Sequence, residues 1–283
     1  MTIEMGWNRY GKARVRLVKI VRLPDRHVVR DLTVRVGLEG DFEDAHVTGD
    51  NAEVIATDTM KNTVYAMAKD GLNGSIEAFG TVLADHFLLH RQVHRATIWV
   101  QEHAWDPIDV AGTPAPEAFL RNGAMTRTAT VAAEASGLTI EAGVEEMAVM
   151  KTARSAFAGF PRDRYTTLAE TDDRIMASRV SCAWRYGQSA ADLDHDAVFE
   201  RVLSTFMRTF TEHMSLSVQH SIWVIGEAIL AGEPAIEEVR FSLPNLHHWL
   251  ADLRPFGIDN DREIFIPTTE PHGIIEATVR RST

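Results

Sequence analysis

The sequence predicts an α+β protein made of two tandem units, each with the element order strand, strand, helix, helix, strand, strand. In each half of the chain, segments with the two-residue alternation of half-buried strands flank two segments with helical apolar spacing. The same order recurs after the turn Ala135-Ser136-Gly137. We therefore expect units at residues 1–136 and 137–283, each an antiparallel sheet with two helices on one face.

The first unit opens with a predicted hairpin. Gly11–Leu23 and Asp31–Val36 alternate apolar and polar side chains, and Pro24-Asp25-Arg26 between them is typical of a turn. Two helices follow, separated by Gly71 and Gly74 and each opened by a residue that can cap it, and two strands then flank a loop rich in glycine and proline. These elements are predicted at Asp58–Asp70, Ser75 to about Leu89, Ala96–Gln101 and Thr126–Ala132.

The second unit repeats this order without evident sequence identity to the first. Its helices are predicted from apolar side chains at helical spacing, such as Phe199, Leu203 and Phe206 in one and Ile222 and Ile225 in the other. Each predicted sheet has one face without helices, and oligomerisation is expected to cover it. The elements are Leu138–Met150, Ile175–Arg185, a helix from about Asp194, a helix from about Val218, Glu237–Leu243 and Ile274–Arg280.

Composition excludes several classes of function. The 283 residues are 45% apolar, which supports a normal globular core. Neither a run of about eighteen apolar residues nor a signal-peptide pattern occurs, so a soluble intracellular protein is expected. The formal net charge of −11 disfavours nucleic acid and anionic membranes as partners. The single cysteine, Cys182, excludes an intrachain disulfide and is expected to be a buried, inert thiol.

The segment from Phe157 to Arg174 holds the first candidate site residues. Phe157 offers an aromatic face, Leu168 an aliphatic lid and Arg174 a planar fork of hydrogen-bond donors, which together suit a flat, oxygen-rich heterocycle. The alternative is that Phe157 and Leu168 pack ordinarily and that Arg174 forms a surface ion pair with Glu170 or Asp172.

Six stretches, in order across nearly the whole chain, carry the motifs of one known family. They are Tyr10-Gly-Lys12, Ala56-Thr-Asp-Thr-Met-Lys-Asn-Thr-Val-Tyr65, Phe160-Pro to Arg174-Ile, Ser217-Val-Gln219, Ser242-Leu-Pro-Asn-Leu-His-His248 and Gly273-Ile-Ile-Glu-Ala-Thr-Val279. With these residues the chain resembles urate oxidase (uricase). The resemblance implies the tunnelling fold, in which tandem units assemble into a barrel. It also implies homotetramers with active sites between subunits.

The implied activity is the cofactor-independent oxidation of urate by dioxygen and water to 5-hydroxyisourate and hydrogen peroxide, in purine degradation. No metal or other cofactor is expected. The resemblance implies that Lys12, Thr57 and His247 form a catalytic proton relay. The residues alone favour plainer interpretations: Lys12 as a solvated charge at a strand end, Thr57 as a residue that opens a helix, and His247 as a surface residue of an edge strand.

The remaining candidates bind substrate. Thr57 and Asp58 open the first helix, and Val218 and Gln219 lie near the start of the fourth, where unpaired backbone N–H groups attract anionic oxygens. The resemblance implies that Gln219 and Arg174 grip urate in its plane, and that Asn245 holds dioxygen or water above the ring. The alternative for Asn245 is a chain turn after Pro244.

Other patterns are weaker. A metal site at His86, His90 and His94 is disfavoured because His94 is expected to lie beyond the helix, and Asp192, Asp194 and Asp196 are expected to cap a helix, since glycine and glutamate needed in a calcium loop are missing. Leu246 departs from a lysine common in the family, and the end Arg281-Ser-Thr283 lacks a peroxisomal signal, so a cytoplasmic location is expected. Two other functions remain open: a zinc-dependent tunnelling-fold enzyme acting on pterins or guanine nucleotides, and a non-catalytic purine-binding oligomer.

Overall fold

The computed structural model describes residues 2–187 and 193–282 and confirms the α+β class. By its internal contacts the chain divides into two compact units. Unit 1 comprises Met1–Gly143 and Arg185–Phe199, and unit 2 comprises Val144–Trp184 and Glu200–Thr283. The boundary expected at residue 136 stays a prediction. Among the described residues, no helix has the length and apolar character required to cross a bilayer.

Unit 1 is an antiparallel sheet with two long helices packed on it. The strand order is β1-β2-β3-β6, followed by the first residues of β7, and β4 and β5 form a separate hairpin. Helix α2 packs on β1, and α3 packs on β3 and β6. The elements are β1 (Tyr10–Arg22), β2 (His27–Gly40), α1 (Glu43–Val47), α2 (Thr57–Gly71), α3 (Ile76–Leu88), β3 (Val93–His103), β4 (Trp105–Val110), β5 (Thr113–Arg121), β6 (Thr126–Glu134) and β7 (Gly137–Lys151).

Unit 2 repeats this arrangement. The rest of β7 is followed in the sheet by β8, β9 and β12, helix α5 packs on β9 and β12, and β10 and β11 form a separate hairpin. The elements are β8 (Met176–Tyr186), α4 (His195–Glu212), α5 (Val218–Gly232), β9 (Ile236–Pro244), β10 (His247–Leu250), β11 (Phe265–Thr268) and β12 (Ile274–Arg280).

The second long helix of each unit, called here the inner helix, is α3 in unit 1 and α5 in unit 2. It lies very close to one strand of its sheet, β6 in unit 1 and β12 in unit 2. A Cβ atom added to Gly80 of α3 would lie 2.8 Å from Val131 Cγ2, and one added to Gly226 of α5 would lie 2.6 Å from Val279 Cγ2. Both valines are buried. Only glycine allows this approach, so the two glycines set the spacing between helix and sheet.

The twelve predicted strands and helices all form, with ends shifted by a few residues. One predicted cap is wrong: Thr57 is the first residue of α2, and its neighbour Ala56 occupies the cap position without a side-chain hydrogen bond. The cap on α3 is confirmed, because Ser75 Oγ accepts the Ala78 N–H at 3.1 Å. Asp194 accepts the Ala197 N–H at 3.0 Å at the start of α4, whereas Asp192 lies outside the described residues.

Candidate functional site

Unit 2 contains a cavity of about 330 Å³, a size typical of small-molecule sites. Seven of the residues predicted to hold substrate or move protons line it. Among the lining residues there is no aspartate, glutamate or lysine, so Arg174 gives the cavity a positive charge suited to an anion. The full lining is Phe157, Leu168, Ala169, Thr171, Arg174, Ile175, Val218, Gln219, Asn245, His247, His248, Trp249 and Ile275.

Phe157 and Arg174 form one wall of this cavity. The backbones of Phe157 and Thr171 exchange two hydrogen bonds of 2.8 and 3.0 Å, and the Arg174 N–H donates to the Ser155 carbonyl at 2.7 Å. The guanidinium carbon of Arg174 lies 5.2 Å from the centre of the Phe157 ring, and Phe160 stacks on that ring at 5.0 Å. The aromatic ring and the donor fork are therefore held side by side by the backbone.

The Arg174 side chain is a donor prepared for a ligand. Burial lowers its pKa, and its Nε is buried without a hydrogen-bond partner among the described residues. The predicted surface ion pair with Glu170 or Asp172 is not among the ion pairs of the described residues, and Glu170 instead accepts the Gly159 N–H at 3.1 Å. A buried donor without a partner in a cavity wall indicates an acceptor supplied by a bound molecule.

A second wall is the N-terminus of α5. Ser217 caps the helix by accepting the His220 N–H at 3.0 Å, and the Ser221 N–H makes the first intrahelical bond, to the Ser217 carbonyl at 3.1 Å. The N–H groups of Val218 and Gln219 therefore have no intrahelical acceptor. They lie where the helix dipole favours negative charge.

The third wall follows the end of β9, where Pro244 ends the strand as the sequence predicted. Asn245 is held by its N–H, which donates to the Gly273 carbonyl at 2.7 Å. His247 begins β10, pairs with Thr268 of β11 and stacks on the Trp249 ring at 5.3 Å. Burial, and then the charge of Arg174, lowers the pKa of His247, so its imidazole is neutral and able to accept a proton near pH 7.

Three predicted site residues belong to unit 1. Lys12 lies on β1 opposite Val36, and Thr57 and Asp58 are the first two residues of α2, with both side chains exposed. The Asp58 pKa is lowered mainly by its bond to Lys61, and the charge of Lys12 contributes to the same shift. Unit 1 thus brings Lys12 close to the N-terminus of α2, while His247, the third member of the predicted relay, belongs to unit 2.

Local structure fixes the positions of Lys12, Thr57 and Asp58, which form the unit 1 group. The pairing of β1 with β2 shifts register between Lys12 and Val15, and Arg14 there has a positive φ of 58°. Such a bulge redirects the neighbouring side chains. Tyr10 joins β1 to the start of α2, since its hydroxyl accepts the Ile55 N–H at 2.8 Å and donates to the Ile55 carbonyl at 3.2 Å.

The sequence reasoning missed six lining residues. Three of them, Ala169, Thr171 and Ile175, lie in or beside the segment from Phe157 to Arg174, His248 ends the fifth family motif, and Ile275 lies in the last one. Their proximity to motif residues was the signal that could have identified them. The sixth is Trp249, which directly follows the fifth motif.

The three histidines spaced four residues apart do not share a helix face. His86 is in the last turn of α3 and His90 lies beyond that helix. His94 lies beyond the helix, as the sequence predicted, and belongs to β3. His94 Nε2 is 3.2 Å from an Asp41 carboxylate oxygen. Within residues 2–187 and 193–282 no group of three or more histidine, cysteine, aspartate or glutamate side chains could hold a metal ion.

Comparison with known proteins identifies close relatives. A family profile described as Uricase matches residues 8–132 and 140–276. The uricase of Arthrobacter globiformis is 45% identical over 280 residues, which cover 99% of this chain and 90% of that protein. The uricase of Dictyostelium discoideum is 36% identical over 97% of this chain and 96% of its own. The crystal structure of the Arthrobacter globiformis uricase covers 99% of this chain and 96% of that one with a TM-score of 0.94.

Proposed function

The chain belongs to the uricase family, and from that premise we propose that it is a cofactor-independent urate oxidase that converts urate, dioxygen and water to 5-hydroxyisourate and hydrogen peroxide. The observation that carries this proposal is the cavity wall in which the Arg174 fork, with a buried unpaired Nε, lies beside the Phe157 ring. A flat anion with several carbonyl oxygens is the kind of ligand that satisfies both groups.

Substrate binding is assigned to the unit 2 residues. Urate stacks on Phe157 under Leu168, and Arg174 and Gln219 form hydrogen bonds to its edges in the ring plane. A glutamine amide both donates and accepts, which fits an edge where carbonyl and N–H groups alternate. The N–H groups at the start of α5 favour the anionic form of the purine, which is the electron-rich form that dioxygen can oxidise.

Proton transfer is assigned to Lys12, Thr57 and His247. The threonine hydroxyl passes a proton between the purine and the lysine amine, and neutral His247 accepts or returns that proton. Asn245 holds dioxygen, and later water, above the ring. The purine gives up two electrons and two protons to dioxygen, which leaves as hydrogen peroxide, and water supplies the hydroxyl group that becomes bound to C5.

We also propose a cytoplasmic homotetramer in which the unit 1 residues of one copy meet the cavity of another. The division of the relay supports this, since Lys12 and Thr57 belong to unit 1 and His247 to unit 2. The exposed N-terminus of α2 agrees with the same arrangement, because Thr57 and Asp58 are accessible to another copy. Asp58 would then contribute its backbone N–H to the shared site.

The first test follows urate absorbance, oxygen uptake and peroxide formation together, with protein treated with a chelator. Equal consumption of urate and oxygen is expected, with peroxide formed in the same amount. Binding of urate without consumption would instead support a non-catalytic purine-binding oligomer. Activity toward pterins or guanine nucleotides that depends on added zinc would support the other tunnelling-fold enzymes.

A Thr57→Val variant tests the proton relay. It keeps the shape of the side chain and removes the hydroxyl, so turnover should fall by about 10²-fold or more while urate binding changes little. Binding is measured by equilibrium titration without oxygen. Equal losses of turnover and binding in a folded variant would contradict the role given to Thr57.

A further inference from the structure

A chain of buried hydrogen bonds lies behind the N-terminus of α5, outside the set of residues that line the cavity. Ser215 and Ser221 are both 0% exposed, and their hydroxyl oxygens lie 2.8 Å apart. Ser221 Oγ is also 2.9 Å from Nε2 of His213. None of these three residues is among those that line the cavity, so they can act on a ligand only through the residues they hold.

The proton on His213 determines which groups donate and which accept along these hydrogen bonds. Its Nδ1 lies 2.7 Å from the Thr209 carbonyl, which can only accept, so Nδ1 carries the proton. Burial lowers the pKa of His213, which keeps the ring neutral near pH 7. Nε2 is then an acceptor for the Ser221 hydroxyl. The Ser215 hydroxyl remains free to donate to Ser221 or to the Ser217 carbonyl, 3.0 Å away.

The same chain connects two walls of the cavity. The Ser215 carbonyl accepts the Ala156 N–H at 2.7 Å, directly before Phe157. On the other side, the Ser217 carbonyl oxygen lies 3.0 Å from Ser215 Oγ and 3.2 Å from Ser221 Oγ, directly before Val218. A shift of either serine would therefore change the distance between the aromatic wall and the N–H groups of α5.

We propose that Ser215, Ser221 and His213 are positioning residues for substrate, which fix the Val218 and Gln219 N–H groups relative to the Phe157 ring. This inference rests on the proposed function. Hydrogen bonds from these N–H groups exist in the bound ground state as well as in the transition state. Loosening them should therefore raise KM for urate and change kcat little.

The test compares Ser215→Ala and Ser221→Ala with wild type, by steady-state kinetics and by urate binding without oxygen. Both variants should raise KM and Kd for urate about 5- to 10-fold, with kcat within about twofold of wild type. Because both substitutions break the same series of hydrogen bonds, the double variant should have a KM and a Kd hardly higher than those of either single variant. Alanine is a strong helix former, so Ser221→Ala is expected to fold even if Ser215→Ala does not.

Ser75→Ala is the matched control. Ser75 is also a buried serine hydroxyl at the start of an inner helix, but it belongs to α3 of unit 1. Its removal should lower stability without changing KM. An equal rise of KM in Ser75→Ala would overturn the proposal, as would serine variants whose KM stays within about twofold of wild type. If wild type binds urate but consumes none, the proposed function fails, and the Kd values alone decide the positioning role.

Discussion

The inner helices of the two units, α3 and α5, share one packing frame and differ at their N-terminal ends. Ser75-Ile-Glu-Ala-Phe-Gly80 in α3 and Ser221-Ile-Trp-Val-Ile-Gly226 in α5 are both buried at their first, second, fifth and sixth positions. They differ at the third position, where Glu77 is buried and Trp223 is exposed. The glycine of each segment packs on a strand valine, Val131 in β6 and Val279 in β12, at the end of an Ala-Thr-Val sequence common to both strands. The repeat is therefore visible in sequence once the structure aligns it.

The difference lies in the first turn. Helix α5 begins four residues earlier in this alignment, at Val218, and its extra turn brings the free N–H groups to the cavity. Helix α3 begins directly after Ser75, and its fully buried Glu77 is bound by Arg127 at 2.9 Å. By the same alignment Arg127 of β6 occupies the position of Ile275, a cavity residue of β12.

The first strands of the two units differ in the complementary way. Gly11-Lys-Ala-Arg-Val15 of β1 aligns with Gly143-Val-Glu-Glu-Met147 of β7, and both contain a residue with positive φ at the same place, Arg14 at 58° and Glu146 at 62°. Lys12 has buried Val144 as its counterpart. Unit 1 thus has a lysine on its first strand, and unit 2 has a helix whose first N–H groups face the cavity.

The largest effect should come from Glu77→Ala, which leaves Arg127 without its most buried partner. We expect the free energy of unfolding to fall by about 3 kcal/mol, the low end for a broken buried ion pair, because Asp196 still lies 2.6 Å from Arg127. Urea denaturation at fixed protein concentration measures this. Gln219→Ala, at the same second position of α5 but exposed, should change stability by less than about 0.5 kcal/mol. Similar losses in the two variants would contradict the difference between the helix ends.

Gly226→Ala tests the shared frame. Its Cβ would lie 2.6 and 2.8 Å from two Val279 atoms, so the helix must move, and a loss of about 1–3 kcal/mol is expected. Gly80→Ala should destabilise less, because only one Val131 atom would lie closer than 3.0 Å to the new Cβ, against two Val279 atoms in Gly226→Ala. Thermal unfolding measures both. Gly74→Ala, whose Cβ would meet nothing within 4 Å, is the control and should not destabilise.

Tyr10→Phe tests how the unit 1 group is held. Removing the hydroxyl leaves the N–H of buried Ile55 without its 2.8 Å acceptor, which should cost about 1–2 kcal/mol. Because Ile55 precedes Thr57 by two residues, kcat should also fall, with KM less affected. An unchanged kcat in a destabilised variant would show that Thr57 is positioned by other contacts.

The smallest effect concerns acid. Burial lowers the pKa of His195, which lies close to Glu77 and Arg127 in unit 1. In the unfolded chain His195 takes up a proton as the pH falls below about 6.5, whereas in the folded chain burial opposes that protonation. The contribution of neutral His195 to stability is therefore complete above that pH and is lost progressively below it. His195→Phe should therefore lose less stability than wild type between about pH 7 and 5. Parallel curves for the two proteins would exclude His195 as a contributor.

Sequence predicted the repeated elements well because their apolar periodicity is long and regular, as in α5 and β2. It missed β4 and β5, whose course is interrupted by Pro107, Pro114 and Pro116, and the four-residue strands β10 and β11, which are too short to show a period. The five-residue α1 was missed for the same reason.

The candidate site was predicted in a different way. Of the seven lining residues that were predicted, Phe157, Leu168 and Arg174 came from the chemistry of their side chains, and the other four lie in family motifs. No periodicity could have indicated that Phe157, Val218 and His247 meet, since backbone pairing of distant segments brings them together. The chain of Ser215, Ser221 and His213 gave no sequence signal, because buried serines and histidines have no characteristic spacing.

Cys182 has a consequence for a protein proposed to release hydrogen peroxide. Its thiol is fully buried in β8, and burial raises its pKa. Peroxide oxidises the thiolate, which this environment suppresses at neutral pH. The only cysteine of the chain is thereby protected from the product, and prolonged turnover should leave its mass free of sulfenic and sulfinic oxygen.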